Sequence, residues 1–145
     1  MTQEEKQLLL KDLCARIPYR TFVCLNPGAY NKPETCILTG VHGEKVHLNV
    51  DSDPFRIDHI KPYLRPMSSM TEEEKKELKS VTCPEGTGYF DEQYLICPIS
   101  HFGEHISYDF MSDILNWLNA HHFDYRGLIE KGFALEAPED MYKTE

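Results

Sequence analysis

Apolar and polar positions recur with two different periods along this chain. Near its start, Leu10, Leu13, Cys14 and Ile17 stand at i, i+3, i+4 and i+7, which lays one apolar stripe along a helix. Thr2, with Glu5 three residues later, forms a capping box, and Pro18 disfavours helix at the residue before it. The pattern predicts a helix over 3–16. From Arg20 the period shortens to two. Residues 20–25 are β-branched and aromatic, and Asn26-Pro27-Gly28 is a turn signal. A second strand over 35–41 leads through His42-Gly43-Glu44 into 45–50. There Val46, Leu48 and Val50 point one way and Lys45, His47 and Asn49 the other. A short strand over 55–57 follows a further turn. Four short strands at hairpin spacing after one helix predict a small antiparallel SH3-like barrel or a curled sheet.

The pattern then breaks at Ile60-Lys61-Pro62-Tyr63-Leu64-Arg65-Pro66. Two prolines four residues apart argue against a regular helix and against a central strand. The segment is expected to be an extended connector leaving the barrel, anchored by Ile60 and Leu64. Thr71 with Glu74 makes a second capping box, and the acidic first turn suits a helix running to about 80. Residues 81–106 are punctuated by Pro84, Gly86, Gly88, Pro98 and Gly103 and are expected to be irregular, with one or two short strands. Met111, Ile114, Leu115 and Leu118 form a second helical stripe, which predicts a helix over 107–121. Asp124 is placed to cap a short helix ending at Gly132.

The resulting fold class is α+β. Residues 1–66 supply an N-terminal helix and a small barrel or sheet, and 67–145 a mostly helical region with an irregular insert at 81–106. A chain of 145 residues also accommodates both as one domain. The expected core is Leu10, Leu13, Ile17, Val46, Leu48, Ile114, Leu115 and Leu118.

Composition narrows the setting. With 41% hydrophobic and 27% charged residues, the chain has the balance of a globular protein rather than a disordered one. No apolar run approaches the ~20 residues of a membrane helix, and Glu4 and Glu5 stand where a secretory leader would be basic. These features predict a cytoplasmic protein without a membrane partner. Five cysteines, an odd number, are expected to be free thiols. The net charge of −9 argues against a sequence-independent grip on nucleic acid, which needs Lys and Arg to displace phosphate counterions.

Candidate chemistry is sparse. His101-Phe102-Gly103-Glu104-His105 has the H-x-x-E-H spacing of a zinc peptidase, in which His101 and His105 would hold the metal and Glu104 would polarise a water. Gly103 and Pro98 make this a poor helix, and no distinctive third ligand follows. Cys83, Cys97, His101 and His105 are also four conceivable ligands of a structural zinc, but they lack a C-x-x-C knuckle. Ordinary loop residues are the favoured reading of both sets, and no metal or other cofactor is expected. His121-His122 at a helix end is read as capping. One binding surface is conceivable. Tyr30 in the loop between the first two strands would approach Phe55 and Tyr63 if the barrel closes, and small barrels often bind through loop aromatics.

Three segments carry a resemblance. They are Ile60 to Pro66 with Ser68-Ser69-Met70-Thr71-Glu72-Glu73, then Trp117-Leu118-Asn119-Ala120-His121-His122-Phe123-Asp124-Tyr125-Arg126-Gly127-Leu128-Ile129, and then Ala134-Leu135-Glu136-Ala137-Pro138. Together they resemble a group of uncharacterised proteins of Bacteroides-group gut bacteria, their prophages and their phages. The resemblance covers the N-terminal helix, 57–75 and 115–142. It implies a bacterial or phage setting and supplies no activity or site residue. The functional expectation is a non-enzymatic, phage- or mobile-element-associated binding or adaptor protein with an unknown protein partner. A metal-dependent hydrolase through His101, Glu104 and His105 is the alternative, and a nucleic-acid-binding small barrel is the second.

Overall fold

The computed structural model describes residues 1–25, 34–50, 53–82 and 108–142. Helix α1 spans Gln3–Arg16, and its capping box is formed in both directions. The Thr2 hydroxyl accepts from the Glu5 amide at 3.2 Å, and the Glu5 carboxylate accepts from the Thr2 amide at 2.7 Å. A 3-10 turn at Ile17–Tyr19 follows, with Pro18 in its first turn. Arg20, at φ 52°, then swings the chain into the sheet.

The strands are β1 (Phe22–Leu25), β2 (Glu34–His42), β3 (Lys45–Leu48), β4 (Phe55–Arg56) and β5 (Ile60–Pro66). Two more come late in the chain, β6 (Phe123–Asp124) and β7 (Leu135–Glu136). They lie in the order β4-β3-β2-β1-β5-β6, with β7 also paired to β5. The first five are joined antiparallel, whereas β6 and β7 both run parallel to β5. The sheet is open: β4 and β6 stand at its two ends, so the closed SH3-like barrel does not form. The hairpin expectations hold. The β2–β3 register slips between Leu38 and Gly40, which marks a bulge, and Gly43 at φ 63° takes the first position of the tight turn.

The connector expectation for 60–66 is overturned, because β5 lies inside the sheet. Ile60, Lys61 and Pro62 pair with β1, Tyr63 and Leu64 with β7, and Arg65 and Pro66 with β6. No residue of β5 is paired on both flanks. A proline therefore occupies this strand without an N–H missing from a two-sided ladder.

Among the described residues the C-terminal half is not uniformly helical. It holds α2 (Glu72–Thr82), α3 (Tyr108–Ala120) and the single turn α4 (Leu128–Lys131), but it also gives β6 and β7 to the sheet begun by residues before 66. The second capping box forms, with the Glu74 amide on the Thr71 hydroxyl at 3.2 Å and the Thr71 amide on the Glu74 carboxylate at 3.0 Å. The N-cap position of α4 is Gly127 at φ 72° rather than Asp124, but Asp124 still satisfies the first amides of the helix, its two carboxylate oxygens accepting from Leu128 and Ile129 at 2.9 and 3.0 Å. The expectation of short strands within 81–106 falls on 83–107, outside the described residues.

Two apolar clusters result. The first sits between α1 and one face of the sheet and includes Leu9, Leu10, Leu13, Val23, Leu38, Val46, Leu48, Ile60 and Leu64. The second joins α2, α3 and β6 through Met70, Leu78, Ile114, Trp117, Leu118 and Phe123. Each fully buried large aliphatic side chain contributes about 1.5–3 kcal/mol of transfer free energy. Two expected core residues, Ile17 and Leu115, are only half-buried, and Cys14 faces solvent. The buried face of α1 is rotated from the expected stripe and carries Leu9, Leu10, Asp12, Leu13 and Arg16.

Candidate functional site

The C-terminal part of α1 buries two charges. Asp12 and Arg16 are both 0% exposed, one helical turn apart on the same face. The Arg16 guanidinium grips Asp12 through Nε at 2.7 Å and Nη2 at 3.0 Å, and Nη2 also donates to the Phe123 carbonyl at 2.7 Å. Asp12 takes a third donor, Nε of Arg126 at 3.2 Å. The Tyr125 ring lies beneath both guanidiniums, and its hydroxyl donates to the Asn119 side chain at 2.9 Å. This network stitches α1 to α3, β6 and the loop after β6, where the two apolar clusters meet. Its charge is unbalanced, with one carboxylate serving two guanidiniums.

A second polar group adjoins it. Thr21 donates to the Arg16 carbonyl at 3.2 Å, and its hydroxyl lies 3.5 Å from Nδ1 of His122. His122, at φ 64° between α3 and β6, stacks on Tyr142 with ring centroids 3.7 Å apart. The Tyr142 hydroxyl accepts from the Phe22 amide at 2.9 Å and donates to the Tyr63 carbonyl at 2.8 Å. Burial pushes the Tyr142 phenol well above its ordinary range. Burial, with the charges of Arg16, His121 and Arg65, presses His122 down to about 4. Arg65 spans the other side, doubly bonded to Glu74 at 2.7 Å and seated over the Phe123 ring. Partial burial works to raise the Glu74 carboxyl, but the Arg65 bonds and the Thr71 amide outweigh it and hold it at about 2.

His122 is neutral in the fold, whereas the unfolded chain takes up a proton near 6.5. Its stabilising contribution is full above pH 6.5, declines as pH falls toward 4, and is gone below that. Glu74 acts in a lower window, from 4.5 down to about 2. The variant His122→Asn keeps a residue tolerant of positive φ. It is expected to flatten the decline of Tm between pH 6.5 and 4, and an unchanged slope in that window would contradict the assignment.

These charged groups are engaged with one another, so they act as structural ties rather than as an acid–base pair open to a substrate. Among the described residues no group of three or more His, Cys, Asp or Glu side chains converges to hold a metal. The histidine and cysteine candidates His101, His105, Cys83 and Cys97, together with Glu104, lie outside the described residues, as does Tyr30. Phe55 and Tyr63 are described, and the structure does not bring them together. Phe55 on β4 packs against the first cluster, with three strands between it and Tyr63 on β5. The Tyr63 phenol is raised by burial and by the neighbouring Cys24 thiol.

A groove is formed among the described residues. Open and of about 710 Å³, it runs between α1 and the β2–β3 hairpin. Gln7, Leu10, Lys11 and Cys14 form its helical wall. Val41 and the turn residues Gly43 and Glu44 form the other, and Arg126 joins the lining from the loop after β6. The groove thus touches the buried network through Arg126. Helical periodicity does not reveal it, because it assigns Lys11 to solvent and Cys14 to the core and is silent on Arg126. The four-residue spacing of Asp12 and Arg16 signals the ion pair on α1 but not the groove, which neither residue lines. No helix among the described residues is long and apolar enough to cross a membrane. Compared with protein-family models, curated proteins and solved structures, the chain matches none.

Proposed function

We propose that this chain is a non-enzymatic binding protein, an adaptor of a phage or mobile element that engages a protein partner in the cytoplasm. The observation that carries this reading is the α1–hairpin groove, whose lining mixes aliphatic side chains with exposed polar and charged ones. Such a surface suits reversible docking of a partner segment. The resemblance to Bacteroides-group phage and prophage proteins supports the setting, and the net charge of −9 disfavours nucleic acid as the partner. The hydrolase alternative through His101, Glu104 and His105 rests on sequence spacing alone.

Cys14 is exposed in the groove, whereas Cys24 and Cys36 are buried, so it accepts a thiol-linked photo-crosslinker once Cys83 and Cys97 are changed to serine. Illumination in a lysate of a Bacteroides-group bacterium should give a discrete protein adduct that excess unlabelled chain competes away. The same probe on Glu73→Cys, exposed on α2, in a chain with Cys14 also changed to serine, should not give it. A lack of any discrete adduct, or an identical adduct from the α2 position, would refute the reading.

A further inference from the structure

We propose that the groove takes an extended, acidic peptide segment of the protein partner, its backbone paired to Val41 and its carboxylates facing Lys11 and Arg126. The inference rests on the groove-binding reading above and adds the partner's conformation and charge.

The backbone argument begins at the hairpin turn. His42 and Lys45 flank a two-residue turn, so they form the pair that exchanges both hydrogen bonds. The next pair, Val41 with Val46, is then the wide, non-bonded kind, and Val41 directs its N–H and C=O away from β3. On that far side β1 accompanies β2 only over Glu34 to Ile37, and the Thr21 carbonyl takes the Leu38 amide at 2.9 Å. Beyond the bulge no strand among the described residues continues the ladder. Among the described residues no hydrogen bond reaches the Val41 N–H or C=O from that side. Val41 also lines the groove. A strand edge left open beside a groove is what an added peptide strand recognises.

The charge argument begins at Asp12. That carboxylate is shared by Arg16 and Arg126, so the cluster keeps one positive charge in excess. Arg126 is the member that reaches the groove. Lys11 adds a second cation and is exposed. Against them the groove has Glu44, whose carboxylate already accepts from the Gln3 side chain at 3.0 Å. On a chain of net charge −9, this lining is locally cationic. A peptide carboxylate is drawn to it, and a basic peptide is diverted to the acidic remainder of the surface.

The test selects a phage-displayed random peptide library on the immobilised full chain with Cys83 and Cys97 changed to serine. Recovered peptides are synthesised and tested for protection of Cys14 from maleimide. The proposal expects them to protect Cys14 and to be rich in Asp and Glu. It also expects a single-position response to backbone N-methylation. Methylation of the one residue paired with Val41 should lose about tenfold in affinity, the equivalent of one backbone hydrogen bond, and its neighbours little. Lys11→Glu, on the exposed face of α1, should weaken the same peptides at unchanged Tm. Peptides that protect Cys14 but are not acidic, or that tolerate N-methylation at every position, overturn this inference and leave groove binding standing. Failure to recover any peptide that protects Cys14 overturns both.

Discussion

Asp12→Ala is expected to lower the stability of the fold by about 3–5 kcal/mol, because it leaves Arg16 buried beside Arg126 with no anion between them. Urea denaturation of the variant against the parent measures it. The cost comes from the uncompensated charge rather than from a strong intrinsic bond. The double change Asp12→Leu with Arg16→Met should therefore recover most of the loss, since an apolar pair needs no partner. A single variant within about 1 kcal/mol of the parent would mean that water reaches Arg16 and that the pair behaves as an exposed ion pair rather than a buried tie.

Leu118→Ala is expected to cost about 2–5 kcal/mol, by lost transfer free energy and the cavity left among Ile114, Trp117 and Phe123. Leu115→Ala, at another position of the same helical stripe, should cost clearly less. Leu115 is half-buried, whereas Leu118 is 0% exposed. Equal thermal shifts for the two would mean that α3 turns both side chains equally into the second cluster, against the burial difference between them.

The elements that periodicity and capping specify locally are legible in the sequence. Both capping boxes, the β2–β3 hairpin and the Asp124 bonds to the first amides of α4 follow from residues only a few positions apart. What local pattern misses depends on partners far along the chain. Pro62 and Pro66 argue against a central strand only if that strand is paired on both flanks, and β5 is flanked piecewise by β1, β7 and β6. The parallel partners come from residues after 122, which no local pattern links to 60–66. On α1 the stripe of Leu10, Leu13, Cys14 and Ile17 follows from assigning every charged residue to solvent. Asp12 and Arg16 are buried beside partners more than 100 residues away, Arg126 for the carboxylate and the Phe123 carbonyl for the guanidinium. The candidate groove is hidden for the same reason, since its two walls and Arg126 come from three distant stretches. Grouping Tyr30, Phe55 and Tyr63 requires that the barrel close, and that premise does not hold for the open sheet.

The two parallel strands on β5 also set an order of events during synthesis. β5 is complete at Pro66, but β7 ends at Glu136, so its second flank waits for a further 70 residues (136 − 66). At roughly 5–20 residues per second, translation of that stretch takes on the order of 4–14 s. Through that interval the helix and the first hairpins are already synthesised while Arg126, the Phe123 carbonyl and the parallel flank of β5 are still to be made. A nascent chain arrested near residue 110 should accordingly be sensitive to protease at β5 and gain protection only when β6 and β7 emerge. Completion of this sheet is a late event, timed by translation rather than by the speed of hairpin formation.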